Sequence, residues 1–98
     1  MELLLTKATQ QHGRYFKKEV LDSGAAYVVS DKNSVVGMFS FTFEEKQAKM
    51  DFPYCVNKKA IELAFQEFLK DYPEIVEVKC VSRQRLDFLG FENQIYTK

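Results

Sequence analysis

Tyr54-Cys55-Val56-Asn57-Lys58-Lys59-Ala60 is the stretch where residue type and spacing point most directly to chemistry. It follows Pro53 and joins an apolar strand to the start of a strongly amphipathic helix. The first N–H groups of a helix have no partner within it, and the aligned peptide dipoles add partial positive charge, so such a joint favours phosphate. Two lysines in that first turn would each cost roughly 0.3–1 kcal/mol against the dipole. Lys58 and Lys59 therefore either await an anion or are simply solvated; the sequence leaves both readings open.

Cys55 precedes the same helix, where a thiolate is stabilised and its pKa lowered, so a nucleophile or acyl carrier is conceivable there. The lone histidine, His12, is far away in sequence and has no Asp or Asn relay, which disfavours a Cys/His dyad. His12 reads as a surface or capping residue. One His and two scattered Cys fit no metal-ligand spacing. Arg83 and Arg85 are in reach of an anion, but with Asp87 nearby they read better as a solvated face. Asp51, in step with Lys49, is expected on the wet side of its strand.

The balance of charge limits the partners. Lys plus Arg equal Asp plus Glu at 14 each, so no global field draws nucleic acid or an anionic membrane. Cys55 and Cys80 are too few for a disulfide scaffold and suggest a reduced, cytoplasmic setting. The apolar run at residues 1–5 is short and lacks a basic leader, and no segment approaches the length of a membrane span. The expectation is a soluble protein with one domain over all 98 residues. Nine Phe and five Tyr make its core aromatic.

Several elements must position these groups. Residues 2–7 read as a strand, and Thr9 as the cap of a helix over 10–21 that ends at Gly24. Residues 25–30 and 35–43 form a hairpin about Asp31-Lys32-Asn33-Ser34. Gly37, Phe39, Phe41 and Phe43 share one face of its second strand, and Met38, Ser40 and Thr42 the other. Residues 48–54 add a third antiparallel strand, with Pro53 limiting pairing near its end. Ile61, Ala64, Phe65, Phe68, Leu69 and Tyr72 mark a helix over 58–72, stopped by Pro73. A strand at 75–81, a short helix over 83–89 capped by Ser82 and ended by Gly90, and a strand at 91–97 complete the chain. The crossover after the three-strand meander predicts that strand 75–81 lies parallel to the meander's third strand. The class is α+β, a mixed and mostly antiparallel sheet in the order β-α-β-β-β-α-β-α-β, flanked by helices.

This order, the hairpin AAYVVSDKNSVVGMFSF with its Val36-Gly37, and the ending RLDFLGFE with its Leu89-Gly90-Phe91 resemble the GNAT superfamily of N-acetyltransferases over residues 2–96. The resemblance implies a cleft for acetyl-coenzyme A where two parallel strands splay apart. It implies a pyrophosphate loop of the form Q/R-x-x-G-x-G/A at residues 55–60, of which only Ala60 matches. Cys55 replaces the usual Gln or Arg, and Lys58 stands where the first glycine lets the backbone approach phosphate. By the resemblance, Phe52, Tyr54, Val56, Asn57, Lys58, Lys59 and Ala60 would line the coenzyme A site, and Asp51 would be the nearest base. The position of the family's proton-donating tyrosine is Leu86, so Tyr54, Tyr72 or Tyr96 would have to supply that proton.

The activity so implied is acyl transfer from acetyl-coenzyme A, or another acyl-coenzyme A, to an unidentified small-molecule or protein amine. No metal, nucleic acid or membrane is expected to take part. The competing reading is a degenerate member that no longer catalyses and acts by protein contacts, with homodimerisation through a sheet edge as one form.

Overall fold

The period-two patterning of the middle of the chain becomes the centre of a six-stranded sheet in a computed structural model that describes residues 2–81 and 86–98. Strands β1 (Leu3–Lys7), β2 (Ala26–Asp31), β3 (Ser34–Glu44), β4 (Gln47–Cys55), β5 (Glu77–Cys80) and β6 (Ile95–Thr97) follow one another across it in chain order. Neighbours are antiparallel except β4 and β5, which run parallel as the crossover requires. That crossover is α2 (Lys58–Asp71). A shorter helix, α1 (Lys18–Ser23), lies between β1 and β2 in sequence.

Each face of the sheet has its own apolar layer. Tyr27, Val29, Phe39, Phe41, Met50 and Phe52 meet Ala60, Ile61, Ala64, Phe65 and Phe68 of α2. Phe41 stacks on Phe68 with ring centroids 3.8 Å apart, and Phe65 meets Phe91 and Tyr96 at 5.1 and 4.9 Å. On the opposite face Phe16 and Val20 cover Ala26, Val28 and Met38. The phenylalanine stripe of β3 is thus core, as its alternation predicts, with only Phe43 emerging at the strand end.

Three expectations need correction. Residues 10–21 do not form one helix. Thr9 and His12 close a single 3₁₀ turn over Gln10–His12, the Thr9 N–H donating to His12 Nδ1 at 3.0 Å, and Lys17 is extended before α1 begins. Gly13 and the narrow apolar face favour this break, because a helix through Gly13 gains little burial. Tyr15 is half exposed while Phe16 is buried. Towards the end of the chain, the described part of the expected 83–89 helix is a 3₁₀ turn, Asp87–Leu89; Ser82, Arg83 and Arg85 lie outside the described residues. Finally, β6 begins only at Ile95, because Asn93 and Gln94 both take positive φ and reverse the chain.

Two irregularities shape the sheet next to the joint. Met38 pairs with Tyr54 and Ser40 with Asp51, so Phe39 alone faces both Phe52 and Pro53, a β-bulge on β4. A proline, which has no N–H to pair, suits that position. Gly37 is the second. A Cβ there would stand 2.5 Å from the Phe39 ring and 3.2 Å from the Ala60 Cβ, so the start of α2 seats itself on β3 only because residue 37 lacks a side chain. Among the described residues, no helix is long and apolar enough to cross a membrane.

Candidate functional site

The parallel pairing takes up the first half of β4 and the whole of β5. β4 and β5 are in register from Gln47 opposite Glu77 to Met50 opposite Cys80, and the Val81 N–H donates to the Met50 carbonyl at 2.9 Å. β5 ends at Cys80, but β4 runs on to Cys55. Strand alternation sends the Phe52 N–H to the same side as the Met50 carbonyl, the side on which β5 pairs. The bulge at Phe52 and Pro53 re-aims the backbone there.

Beyond the paired stretch β4 leads into the joint with α2. The Val56 N–H is occupied by the Val36 carbonyl at 2.9 Å. Asn57 caps the helix, its Oδ1 accepting from the Lys59 N–H at 2.8 Å, and the Asn57 carbonyl accepts from the Ala60 N–H at 3.0 Å. The first turn therefore satisfies much of its own anion-binding capacity. Ala60 is buried against Gly37, and Phe52 is packed beside Phe39, so neither side chain is presented outward. Tyr54 and Val56 are exposed at this end of the sheet.

The two lysines diverge. Lys58 shares a helical stripe with Ile61 and Phe65, whose ring meets Phe91 and Tyr96 beyond β5, so Lys58 stands on the β5 side of α2. Lys59 instead lines a hollow with Leu3, Glu62, Leu63 and Gln66 between α2 and β1. Sequence alone could not separate them, since both fall in the first turn.

Cys55 corrects another expectation. Its thiol lies 3.3 Å from the Asn57 carbonyl, and burial pushes its pKa above the ordinary thiol value, outweighing the lowering from the Asn57 backbone. The helix start does not make it a ready thiolate, because burial disfavours the charged form. His12 is engaged with Thr9, as its reading as a capping residue predicts. Among the described residues no group of His, Cys, Asp and Glu could hold a metal ion.

On the α1 face of the sheet lies a groove of about 260 Å³. Asp51 and Val81, each the residue after the last pair of the parallel register, both line it. Ser40 lies opposite Asp51 and Thr42 opposite Lys49, so a polar floor adjoins the apolar wall made by Phe16 and Val20. Tyr15 and Lys17 complete the rim. These groove residues were missed by the sequence reading, apart from Asp51; the shared face of Ser40 and Thr42 was visible, but not its register against Lys49 and Asp51. A larger open hollow, of about 840 Å³, lies at the β1 edge against Glu2, Leu3, Leu4, Asp31 and Lys32, and shares no lining residue with the groove.

The proton-donor question also changes. Leu86 is only 2% exposed and belongs to the core on the α2 side. The Tyr72 hydroxyl donates to the Ser23 carbonyl at 3.3 Å, and Tyr96 is packed on Phe65 and Phe91. That leaves Tyr54 at the end of β4 and, unforeseen, Tyr15 in the groove with Asp51.

No family model matches the sequence, and a search of curated proteins found no relative by sequence. Among solved structures, the chain is similar to the PaiA N-acetyltransferase of Thermoplasma acidophilum, determined in complex with coenzyme A. The similarity has a TM-score of 0.58 at 10% identity and covers 100% of both chains. At that identity the similarity speaks of architecture alone: the chain has a GNAT-like α+β fold, with the mixed, mostly antiparallel sheet that the sequence predicts.

Proposed function

We propose that this protein transfers an acyl group from an acyl-coenzyme A, acetyl-coenzyme A in the simplest case, to an amine. The observation that carries the reading is the end of the β4–β5 register at Met50 and Cys80, with β4 continuing to a helix start at Lys58 and a groove holding Asp51 beside it. A thioester laid along β4 there would have its carbonyl oxygen near the Phe52 N–H, a fixed donor for the developing oxyanion. The phosphates would reach the joint, where Lys58 supplies a point charge in place of the backbone cradle that Asn57 closes.

In the groove, Asp51 holds the ammonium of the acceptor and takes its proton, directly or through one water. The amine nitrogen then adds to the thioester carbon and gives up a second proton to solvent, the C–S bond breaks, and an amide and the thiolate of coenzyme A result. Tyr15 gives its proton to the thiolate and regains one from solvent. Leu86 cannot serve, being apolar and buried. Holding both reactants in line supplies most of the acceleration that such a spare site has available.

A second reading drops transfer and has the fold act through protein contacts instead. Asn57's occupation of the helix start and Leu86's burial favour it. One experiment addresses both readings: a thermal melt with and without 1 mM acetyl-coenzyme A, followed by a thiol-release assay with a panel of amines. With a dissociation constant of about 10 µM, the ligand contributes roughly 2.7 kcal/mol. That is a rise of about 10 °C or more for a domain of this size. A rise with thiol release supports transfer, a rise without release contradicts it, and no rise favours the reading by protein contacts.

A further inference from the structure

The groove beside Asp51 holds charges of both signs, and their spacing specifies a ligand. We infer that it receives a small amine that also bears a carboxylate, an α-amino acid with an apolar side chain; this rests on the groove being the acceptor site proposed above. Among the described residues the Asp51 carboxylate has no hydrogen-bond or ion-pair partner, and Ser40 faces it across the strand pair. An ammonium is the natural occupant of that corner. Two residues back along β4, Lys49 lines the same groove. It pairs with Glu44 at 3.0 Å, but both side chains are about half exposed, and so weak a pair leaves the ammonium able to accept a ligand carboxylate. Lys17 is a second cation on the rim, and its side chain makes no capping bond to α1.

The spacing selects among such ligands. Alternate residues of a strand lie about 7 Å apart. An α-amino nitrogen and its carboxyl carbon are about 2.5 Å apart, so charge-assisted hydrogen bonds of about 2.8 Å at each end let one amino acid bridge Asp51 and Lys49. An amine with a distant acid group would overshoot. The apolar wall of Phe16, Val20 and Val81 then accepts a hydrocarbon side chain, and a volume of about 260 Å³ limits the ligand to a small molecule rather than a folded partner.

The test titrates the intact protein with L-leucine, with 3-methylbutylamine, which lacks the carboxylate, and with 4-methylpentanoate, which lacks the ammonium. Binding is read from the amide resonances of Ser40, Thr42, Lys49 and Asp51. L-leucine is expected to bind at least about tenfold more tightly than either analogue, as two charge-assisted contacts exceed one. Lys49→Gln together with Lys17→Gln should reduce its advantage over the amine to below about threefold, and Asp51→Asn its advantage over the acid. Equal binding of leucine and the bare amine, or no binding to a protein with a folded spectrum, overturns the inference. Coenzyme A is titrated into the same sample. Leucine selectivity without coenzyme A binding keeps the groove assignment and removes the acyltransferase reading; coenzyme A binding without selectivity removes this inference alone.

Discussion

At the scale of single residues, Tyr15, Cys55 and Lys58 carry separable expectations. Tyr15 lines the groove with Asp51, so Tyr15→Phe should lower kcat by about 100-fold with little change in KM, as measured by thiol release under saturating acyl-coenzyme A. Unchanged kcat would return the proton-donor role to Tyr54 or solvent. Cys55 is held as a thiol by burial. Its alkylation by iodoacetamide should reach half its limiting rate at a pH above that of free cysteine, and Cys55→Ser should transfer acyl groups like the unmodified protein. Lys58→Ala should weaken coenzyme A by roughly five- to tenfold, while Lys59→Ala should leave it within about twofold, because Lys59 is turned toward β1. Asp51, Lys58 and the joint were legible in the sequence as residue types at a strand-to-helix boundary. Tyr15 was not, since its local pattern reads as part of a helical stripe and only the break at Lys17 turns it into the groove.

At the scale of elements, α2 and the hairpin of β2 and β3 were legible because their apolar periodicities of 3.6 and two residues are local signals. The bulge on β4 and the register of β4 on β3 were not, since each depends on the pairing of two strands rather than on a local period. The 10–21 segment failed for a different reason: Thr9 and His12 satisfy each other over a single turn, and the helix signal beyond Gly13 is too weak to continue it. Gly37 links element to site. Gly37→Ala should destabilise the fold by about 1–3 kcal/mol in urea titration, since the new methyl would strike Phe39 and crowd Ala60. Glu45→Gly should act in the other direction: Glu45 sits at φ 57° in the turn between β3 and β4, and relief of that conformation should add about 0.5–1 kcal/mol.

For the whole molecule, two apolar layers sandwich the sheet, and the few polar groups inside are paired. Tyr27 is fully buried, and its hydroxyl donates to Asp71 Oδ2 at 3.0 Å, tying the sheet to the end of α2. Burial, then the bond to Asp71 and that carboxylate's charge, raise the phenol's pKa far above its usual value of about 10. The unfolded phenol loses its proton above pH 10 and the folded one keeps it, so stability from this group is full below pH 10 and falls as pH climbs beyond it. Tyr27→Phe should cost about 1 kcal/mol at neutral pH and show a shallower decline in melting temperature between pH 9.5 and 11.5. The overall architecture was readable from the order of elements, while the groove was not, because it exists only where the register brings Ser40 beside Asp51 and α1 stops short of covering them. The proposal that coenzyme A lies where β4 runs on past the end of β5 is tested most directly by amide NMR of the intact protein titrated with coenzyme A. Shifts are expected to concentrate at Asp51, Phe52, Tyr54, Lys58 and Val81, with Leu4 and Lys32 unmoved; shifts centred on the β1 edge, or none at millimolar ligand, would contradict that placement.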